Sequence, residues 1–168
     1  TLPISVYGAS KLIAEKYIEM YCRAYGIKYT ILRYANVYGP GSRSAVSIFI
    51  RRMMEKKRPI IFGGGNQTRD YVYIDDVAEA TIMAMKRANN LNLNIGTGKE
   101  TSVSDIILIV NKLLKTNIKP IYKPEKMGDI MKISLDISMA KKHLKWRPTI
   151  DINSGIKKTF GAESGEKI

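Results

Sequence analysis

The sequence predicts an α/β or mixed α+β fold, in which helices and strands alternate along the chain. Segments with apolar residues at helical spacing are followed repeatedly by short runs of β-branched and aromatic residues. The 168 residues, 45% of them hydrophobic, are enough for one globular unit with a substantial core. This alternation argues against a helical bundle or a β-sandwich.

The first predicted elements are a helix and a strand that lead to a turn. Over residues 5–25 apolar side chains recur at helical spacing, and Gly26 follows as a C′ glycine. Residues 27–34 are β-branched and aromatic, which predicts a buried strand. Residues 36–41 are typical of a turn, which places Asn36 at the carboxyl end of that strand, where open α/β sheets bind ligands.

Further elements are predicted from periodicity and from helix-start signals. Asp75 is a suitable N-cap for a helix that ends near residue 87, and Ser102 with Asp105 resembles a capping box. The tail from Gly161 onward is expected to be frayed or disordered. The other predictions are helices over 44–57, 104–115, 138–144 and 153–160, strands over 59–62, 91–95 and 118–122, and a glycine-rich break over 63–66.

Composition limits the class of the protein and its location. No apolar run approaches the roughly 20 residues that cross a bilayer, and the amino terminus has no secretory signal pattern. Cys22 is the single cysteine, so no internal disulfide can form, which fits a reducing compartment. We therefore expect a soluble, cytoplasmic protein. His143 stands alone without paired cysteines or a carboxylate cluster, so we expect no metal site.

The formal net charge of +13 raises the question of a nucleic-acid partner. The basic residues are scattered along amphipathic segments, and no aromatic-interleaved arginine cluster accompanies them. We therefore expect a solvated lysine surface and no nucleic-acid binding. A basic field also attracts an anionic diphosphate substrate, so charge alone does not decide the partner.

Tyr7 and Lys11 are the pair that points to chemistry. Their separation of four positions in a predicted helix places the phenol and the ammonium on one face. A phenol titrates near ~10 and is a poor base at neutral pH unless a nearby cation favours the phenolate. Such a phenolate can take a proton from a sugar hydroxyl while hydride leaves the same carbon for an oxidised nicotinamide. This spacing is also commonplace, so by itself it does not settle the role.

The residues around this pair resemble a known family. Pro3-Ile4-Ser5-Val6-Tyr7-Gly8-Ala9-Ser10-Lys11 is similar to the Pro-x-Ser-x-Tyr-Gly-x-Ser-Lys block of extended short-chain dehydrogenases/reductases, and in particular of the NAD-dependent nucleotide-sugar epimerases of the UDP-glucose 4-epimerase type. The resemblance continues in order through residues 32–40 (LRYANVYGP), 61–63 (IFG), 69–77 (RDYVYIDDV), 94–98 (NIGTG) and 144–148 (LKWRP). It implies the C-terminal part of a Rossmann-type doubly wound parallel sheet plus a smaller α/β substrate-binding subdomain.

The same resemblance implies a cofactor site for NAD. Tyr7 is then the catalytic base, and Lys11 hydrogen-bonds the nicotinamide ribose and favours the phenolate. Both residues therefore also contact the cofactor. Tyr34 and Ala35 would lie against its nicotinamide end.

The resemblance further implies a site for a nucleotide-diphosphate sugar. Asn36 would contact the diphosphate or the sugar, and Arg69 would clamp the diphosphate, since a guanidinium binds phosphate oxygens in bidentate fashion. Lys126 stands where relatives usually carry an arginine, so it keeps the charge but loses the bidentate fork. Val46 and its neighbours would line the nucleotide pocket, with Ile60 and Phe62 against the base.

Each substrate residue also has a simpler interpretation. Asn36 is suited to capping a turn. Arg69 beside Asp70 is also typical of a surface ion pair, worth roughly 0 to 1 kcal/mol and nothing more. Ile60 and Phe62 fit an ordinary core.

The chain departs from the family pattern at its amino terminus. The family begins with a strand, a glycine-rich turn and a helix that binds the cofactor pyrophosphate, and no such segment precedes the Tyr7 block. We therefore expect residues 1–168 to be the C-terminal portion of an extended short-chain dehydrogenase, with the N-terminal dinucleotide-binding half absent. We expect the fragment to be inactive alone.

The expected activity of the complete protein is NAD-dependent epimerisation of a nucleotide sugar at C4, of the UDP-glucose/UDP-galactose type. A nucleotide-sugar 4,6-dehydratase of the same fold is the nearest alternative. A non-catalytic binding or dimerisation fragment is an alternative of another class. The resemblance also implies a homodimer for the full-length protein.

Overall fold

The computed structural model describes residues 3, 5–125, 128 and 130–165, and in these residues helices and strands alternate. The α/β prediction is thereby confirmed. The elements are α1 Val6–Tyr25, β1 Thr30–Tyr34, β2 Asn36–Tyr38, α2 Ala45–Met54, β3 Ile60–Phe62, β4 Thr68–Arg69, β5 Tyr71–Tyr73, α3 Ile74–Arg87, β6 Leu91–Ile95, β7 Thr101–Ser102, α4 Val103–Leu114, β8 Ile121–Lys123, α5 Ser138–Leu144 and α6 Ile152–Ser164.

The strands of the described residues form four ladders of two strands each. The pairs β1–β6, β2–β5 and β3–β8 are parallel, whereas β4–β7 is antiparallel. Ala35 alone separates β1 from β2, and Asp70 alone separates β4 from β5. The chain therefore passes from one ladder to the next within a single residue at two places, and both places adjoin predicted site residues.

Two hydrophobic clusters form the core, and β5 lies between them. The first joins α2, α4 and α6 and includes Tyr71 and Tyr73, whereas the second joins α3, α5 and β6 and includes Val72. Side chains alternate across a strand, so consecutive residues of β5 enter opposite clusters. All three are buried, which is why this short segment is aromatic and β-branched throughout.

Local signals fix the ends of several helices, and those at Gly26 and Ser102 were predicted. Ser5 caps α1 by accepting a hydrogen bond from the Gly8 N–H at 3.0 Å, and Gly26 ends the helix in the left-handed region at φ 67°. The predicted capping box is confirmed at the start of α4, where Ser102 and Asp105 each satisfy the other's backbone N–H. These ends are decided by neighbours three residues apart, which the sequence displays.

Other boundaries differ from the prediction. Residues 36–38 form β2 rather than a turn, because they pair with β5. The N-cap position of α3 is Tyr73, whose side chain makes no capping bond, and Asp75 lies inside the first turn. Helix α6 continues to Ser164, so the predicted fraying from Gly161 is wrong for the described residues. Glu163 explains the extension, since it pairs with a basic residue of α2, Arg51, at 2.9 Å.

Candidate active site

Helix α1 presents Tyr7 and Lys11 on one exposed face. The Lys11 Nζ atom lies 5.4 Å from the centroid of the Tyr7 ring, within the range of a cation–π contact. The predicted stacking of phenol and ammonium is therefore confirmed. Tyr7 is 72% exposed, so its hydroxyl is accessible to a ligand.

Charged contacts hold α1 against the β1–β6 ladder. Arg33 donates two hydrogen bonds to Glu15, the Nε bond being 2.7 Å long, and this bidentate pairing raises the pKa of the guanidinium. Glu19 accepts from Lys16 at 2.7 Å and from Asn92 at 2.6 Å, and these bonds lower the pKa of its carboxyl. Both glutamates lie one or more turns after Lys11, so these contacts anchor the middle of α1 while Tyr7 and Lys11 stay exposed near its amino-terminal end.

Tyr34 ends β1 beside the carboxyl end of β6, and Ala35 follows it. The Tyr34 hydroxyl is 3.0 Å from Thr81 Oγ1, and 46% of this residue is exposed. Ala35 donates its N–H to the Ile95 carbonyl at 2.8 Å, which continues the β1–β6 ladder by one bond. The exposed aromatic ring and the fixed backbone are therefore adjacent at the strand end.

Asn36 begins β2 opposite Tyr71 of β5. Its N–H donates to the Asp70 carbonyl at 2.9 Å, while its side chain is exposed. The structure therefore gives Asn36 a strand position with an outward amide rather than a turn-capping role.

Arg69 lies half-buried at the end of β4, where its backbone pairs with Thr101. Its Nη1 atom donates to the Thr68 carbonyl at 2.7 Å and also to the carbonyl of Ile130. These carbonyls fix the orientation of the guanidinium. Only Asp70 separates Arg69 from Tyr71, and Tyr71 is the strand partner of Asn36. Arg69 and Asn36 are therefore linked through this short stretch of chain.

A cavity of about 440 Å³ lies between α2 and β3, within the usual range of ligand pockets. Ile60 and Phe62, both half-buried, line it. Val46 does not line it, because its side chain is fully buried in the first hydrophobic cluster. The lining residues are Ala45, Ile48, Phe49, Arg52, Ile60, Ile61, Phe62, Gln67 and Val103.

Two polar residues of the site were missed in the sequence. Gln67 is buried, lines the cavity and donates its Nε2 hydrogen to the Phe62 carbonyl at 2.7 Å. Asp70 is buried and binds the loop after β6. Gln67 lies two positions before Arg69 and Asp70 directly after it, but only the folded chain shows that both are buried. Lys126, a predicted substrate residue, lies outside the described residues.

The described residues contain neither a membrane-spanning helix nor a cluster of metal-binding side chains. No helix there is both long and apolar enough to cross a membrane. No group of three or more His, Cys, Asp and Glu side chains in that part of the chain is arranged to hold a metal ion.

Comparison with known proteins gives matches along nearly the whole chain. The profile of the "NAD dependent epimerase/dehydratase family" matches residues 1–96. A putative UDP-glucose 4-epimerase of Methanocaldococcus jannaschii is 47% identical over 161 residues, which cover 93% of this chain and 52% of that protein. A UDP-glucuronate 4-epimerase of Thermodesulfobacterium geofontis is 40% identical over 160 residues, or 94% of this chain and 50% of that protein. The chain thus spans about half the length of these curated relatives.

Solved structures of nucleotide-sugar 4-epimerases also resemble this chain. The crystal structure of UDP-glucose 4-epimerase from Thermotoga maritima with UDP-glucose has a TM-score of 0.93 and 41% identity, covering 98% of this chain and 55% of that chain. UDP-glucuronic acid 4-epimerase from Bacillus cereus, in complex with UDP-glucuronic acid and NAD, has a TM-score of 0.91 and 32% identity, covering 98% and 54%. This likeness confirms the Rossmann-type α/β class that the sequence blocks implied.

Proposed function

Because the chain belongs to the NAD dependent epimerase/dehydratase family, we propose that it carries the tyrosine–lysine pair and the nucleotide-sugar site of an NAD-dependent 4-epimerase. The proposed substrate pair is UDP-glucose and UDP-galactose. Residues 1–168 form the C-terminal portion of this enzyme, and a dinucleotide-binding half with a glycine-rich turn completes it. The complete enzyme is proposed to act as a homodimer.

The observation that carries this proposal is the position of Lys11 over the Tyr7 ring, with 5.4 Å between Nζ and the centroid. An ammonium so placed stabilises the negative charge that a phenol acquires when it gives up its proton. Tyr7, Lys11 and Tyr34 are all exposed, so the residues assigned to the nicotinamide end of NAD are accessible to it.

The proton chemistry belongs to the side chains of this chain. Bound NAD supplies the acceptor and donor of the hydride on the sugar carbon C4. Tyr7 takes the proton of the 4-hydroxyl at its phenolate oxygen and returns it to the same oxygen of the sugar when the configuration has changed. Lys11 offsets the charge of Tyr7 and donates to the ribose of the cofactor.

The remaining predicted residues anchor the substrate. Arg69 has the planar donor group that suits a diphosphate, and the Thr68 and Ile130 carbonyls hold it in place. Asn36, with its exposed amide, contacts the diphosphate or the sugar. The cavity that contains Ile60 and Phe62 takes the uracil base. Lys126 is proposed as a second cation near the diphosphate.

The test is the rate of UDP-galactose conversion by the protein expressed from its complete reading frame, with added NAD. Tyr7→Phe removes the hydroxyl and should lower kcat by about 10²-fold or more, the usual contribution of a positioned general base. UDP affinity should change by less than about twofold, since Tyr7 contributes little to nucleotide anchoring in this scheme. Tyr17→Phe is the matched control, because Tyr17 is an exposed tyrosine of the same helix.

Two results would contradict the proposal. One is a Tyr7→Phe protein that keeps the wild-type kcat. The other is a product with a 4-keto-6-deoxy sugar, which would indicate a dehydratase. Assaying UDP-galacturonate beside UDP-galactose tests the sugar assignment. The similar proteins include one named as a UDP-glucose 4-epimerase and one named as a UDP-glucuronate 4-epimerase.

A further inference from the structure

Asp70 is a buried carboxylate, 1% exposed, that accepts four hydrogen bonds. Its Oδ1 atom accepts from the Thr97 N–H at 2.8 Å and from the Thr97 hydroxyl at 2.6 Å. Its Oδ2 atom accepts from the Gly98 N–H at 3.0 Å and from the Leu135 N–H at 3.2 Å. All four partners are donors, so only an acceptor with two oxygens satisfies them.

The backbone of Asp70 lies between two proposed substrate residues. Its peptide follows Arg69 directly, and its carbonyl accepts from the Asn36 N–H at 2.9 Å. Asp70 is also the single residue between β4 and β5. Both oxygens of the carboxylate are anchored. This fixes the backbone of Asp70, and with it the direction of the chain after Arg69 and the hydrogen bond to Asn36.

The same carboxylate holds the segment that contacts Arg69 from the other side. Leu135 donates to Asp70, while the Met131 carbonyl accepts from the Thr68 N–H at 2.8 Å and the Ile130 carbonyl accepts from Arg69. Residues 130–135 are thus tied to both ends of the Thr68 to Asp70 stretch, and the carbonyl that orients the guanidinium is part of them.

The glycine beside this carboxylate shows how closely the loop is fitted. A Cβ atom added to Gly96 would lie 2.5 Å from Asp70 Oδ2 and 3.0 Å from the Cβ of Ala35. These distances are well below an ordinary contact, so the loop approaches Asp70 only because position 96 carries no side chain. The four hydrogen bonds and the close approach of Gly96 together restrict the orientation of the Asp70 carboxylate.

We infer that Asp70 is a positioning residue for the diphosphate site, acting through the orientation of Arg69. The inference rests on the proposed function, which supplies the diphosphate. Asp70 touches no substrate in this scheme. It fixes the backbone that carries Arg69 and accepts from Asn36.

Asp76 provides a matched control inside the same chain. It is 2% exposed, and it accepts from the Thr149 N–H at 3.0 Å, from the Thr149 hydroxyl at 2.8 Å and from the Ile150 N–H at 3.1 Å. Like Asp70 it is a buried carboxylate that ties two chain segments. Unlike Asp70 it lies in the first turn of α3 and joins no predicted site residue to another.

The experiment compares UDP and uridine binding by calorimetry in the protein from the complete reading frame. Asp70→Asn places an amide N–H against backbone donors and should weaken UDP binding about tenfold or more, the size expected when a hydrogen bond to a charged group is lost. Uridine binding should change by less than about twofold, since uridine has no phosphate. Asp76→Asn should lower the melting temperature about as much as Asp70→Asn does. It should leave the ratio of UDP affinity to uridine affinity unchanged.

A double-mutant cycle separates action through Arg69 from a general loosening. In an Arg69→Ala background, Asp70→Asn should cause no further loss of UDP affinity. If Asp70→Asn does not fold, the same measurements are made on Thr97→Val. This variant removes one of the four hydrogen bonds to Asp70 and keeps the Thr97 backbone donor. It should lower the UDP-to-uridine ratio to a smaller extent.

The outcomes distinguish this inference from the proposed function. A wild-type protein that binds UDP no better than uridine refutes the diphosphate site itself. A wild-type protein that prefers UDP, together with Asp70→Asn and Thr97→Val proteins that keep this preference, refutes the positioning role alone. Equal loss in the Asp76→Asn control, or full additivity with Arg69→Ala, also refutes it.

Discussion

Replacing Gly155 by alanine tests how tightly α6 packs on the first hydrophobic cluster. An added Cβ atom would lie 1.9 Å from the hydroxyl oxygen of Tyr38 and 2.7 Å from its Cζ atom. Tyr38 is 1% exposed and makes edge contacts with Tyr71 and Tyr73, at centroid distances of 6.3 and 5.5 Å. The ring is therefore enclosed and cannot withdraw from the new methyl group without displacing its neighbours.

The magnitude is set by two opposing effects. Alanine in a helix interior is favoured over glycine by about 1 kcal/mol. Overpacking of a close-packed core costs about 1–3 kcal/mol, and the overlap with two atoms of Tyr38 places Gly155→Ala at the upper end. We therefore expect the free energy of unfolding to fall by about 2 kcal/mol, opposite in sign to the helix preference.

The assay is urea unfolding followed by far-ultraviolet circular dichroism, with linear extrapolation to water. Gly64→Ala is the matched control, since an added Cβ there meets no atom within 4 Å, and it should change stability by no more than about 1 kcal/mol. Tyr38→Phe removes a buried hydroxyl that has no hydrogen-bond partner among the described residues, and in that background Gly155→Ala should cost less. A Gly155→Ala protein as stable as the wild type, or an equal cost in both backgrounds, would refute this packing argument.

Three further predictions concern local interactions. Hydrogen bonds from Ser154 hold the pKa of the Asp151 carboxyl below its usual range, so its contribution to stability is present at neutral pH and is lost as the pH falls through the lowered folded-state pKa. Asp151→Asn should keep the helix cap at pH 7, within about 1 kcal/mol, and flatten the acid dependence of urea unfolding; an unchanged acid dependence would contradict this. Glu15→Gln breaks the bidentate pair with Arg33 and should cost no more than about 1 kcal/mol, with a smaller cost in about 1 M NaCl; a salt-independent cost would argue against an electrostatic origin. Lys115→Gly should raise the melting temperature, equivalent to about 0.5–1 kcal/mol, because Lys115 ends α4 at φ 53°, and a lower value would show that its side chain makes a needed contact.

The sequence predicted well where a structural signal lies within a few residues. The four-residue spacing of Tyr7 and Lys11 and the Ser102 capping box each depend on neighbours three or four positions away. Such signals are complete in the local sequence, since a helix brings positions i, i+3 and i+4 together whatever surrounds it. The roles of the predicted site residues remain proposals that the binding and kinetic experiments test.

The sequence failed where the deciding partner is distant along the chain. The turn chemistry of residues 36–41 gave no indication that Asn36 would pair with Tyr71, because the partner strand lies more than 30 positions away. Val46 and Ile48 look alike as apolar helix residues, yet the first is fully buried and the second lines the cavity. Only the packing of α2 against other elements decides which face of the helix points inward.

Local periodicity and spacing are sufficient to predict the α/β alternation, the glycine end of α1, the capping box of α4 and the pairing of Tyr7 with Lys11. The tertiary structure alone decided that Asp70 would be buried between Arg69 and Asn36. Its four hydrogen-bond partners come from residues 97, 98 and 135. A carboxylate next to an arginine resembles a surface ion pair in sequence, and it becomes an internal anchor only when distant donors close around it.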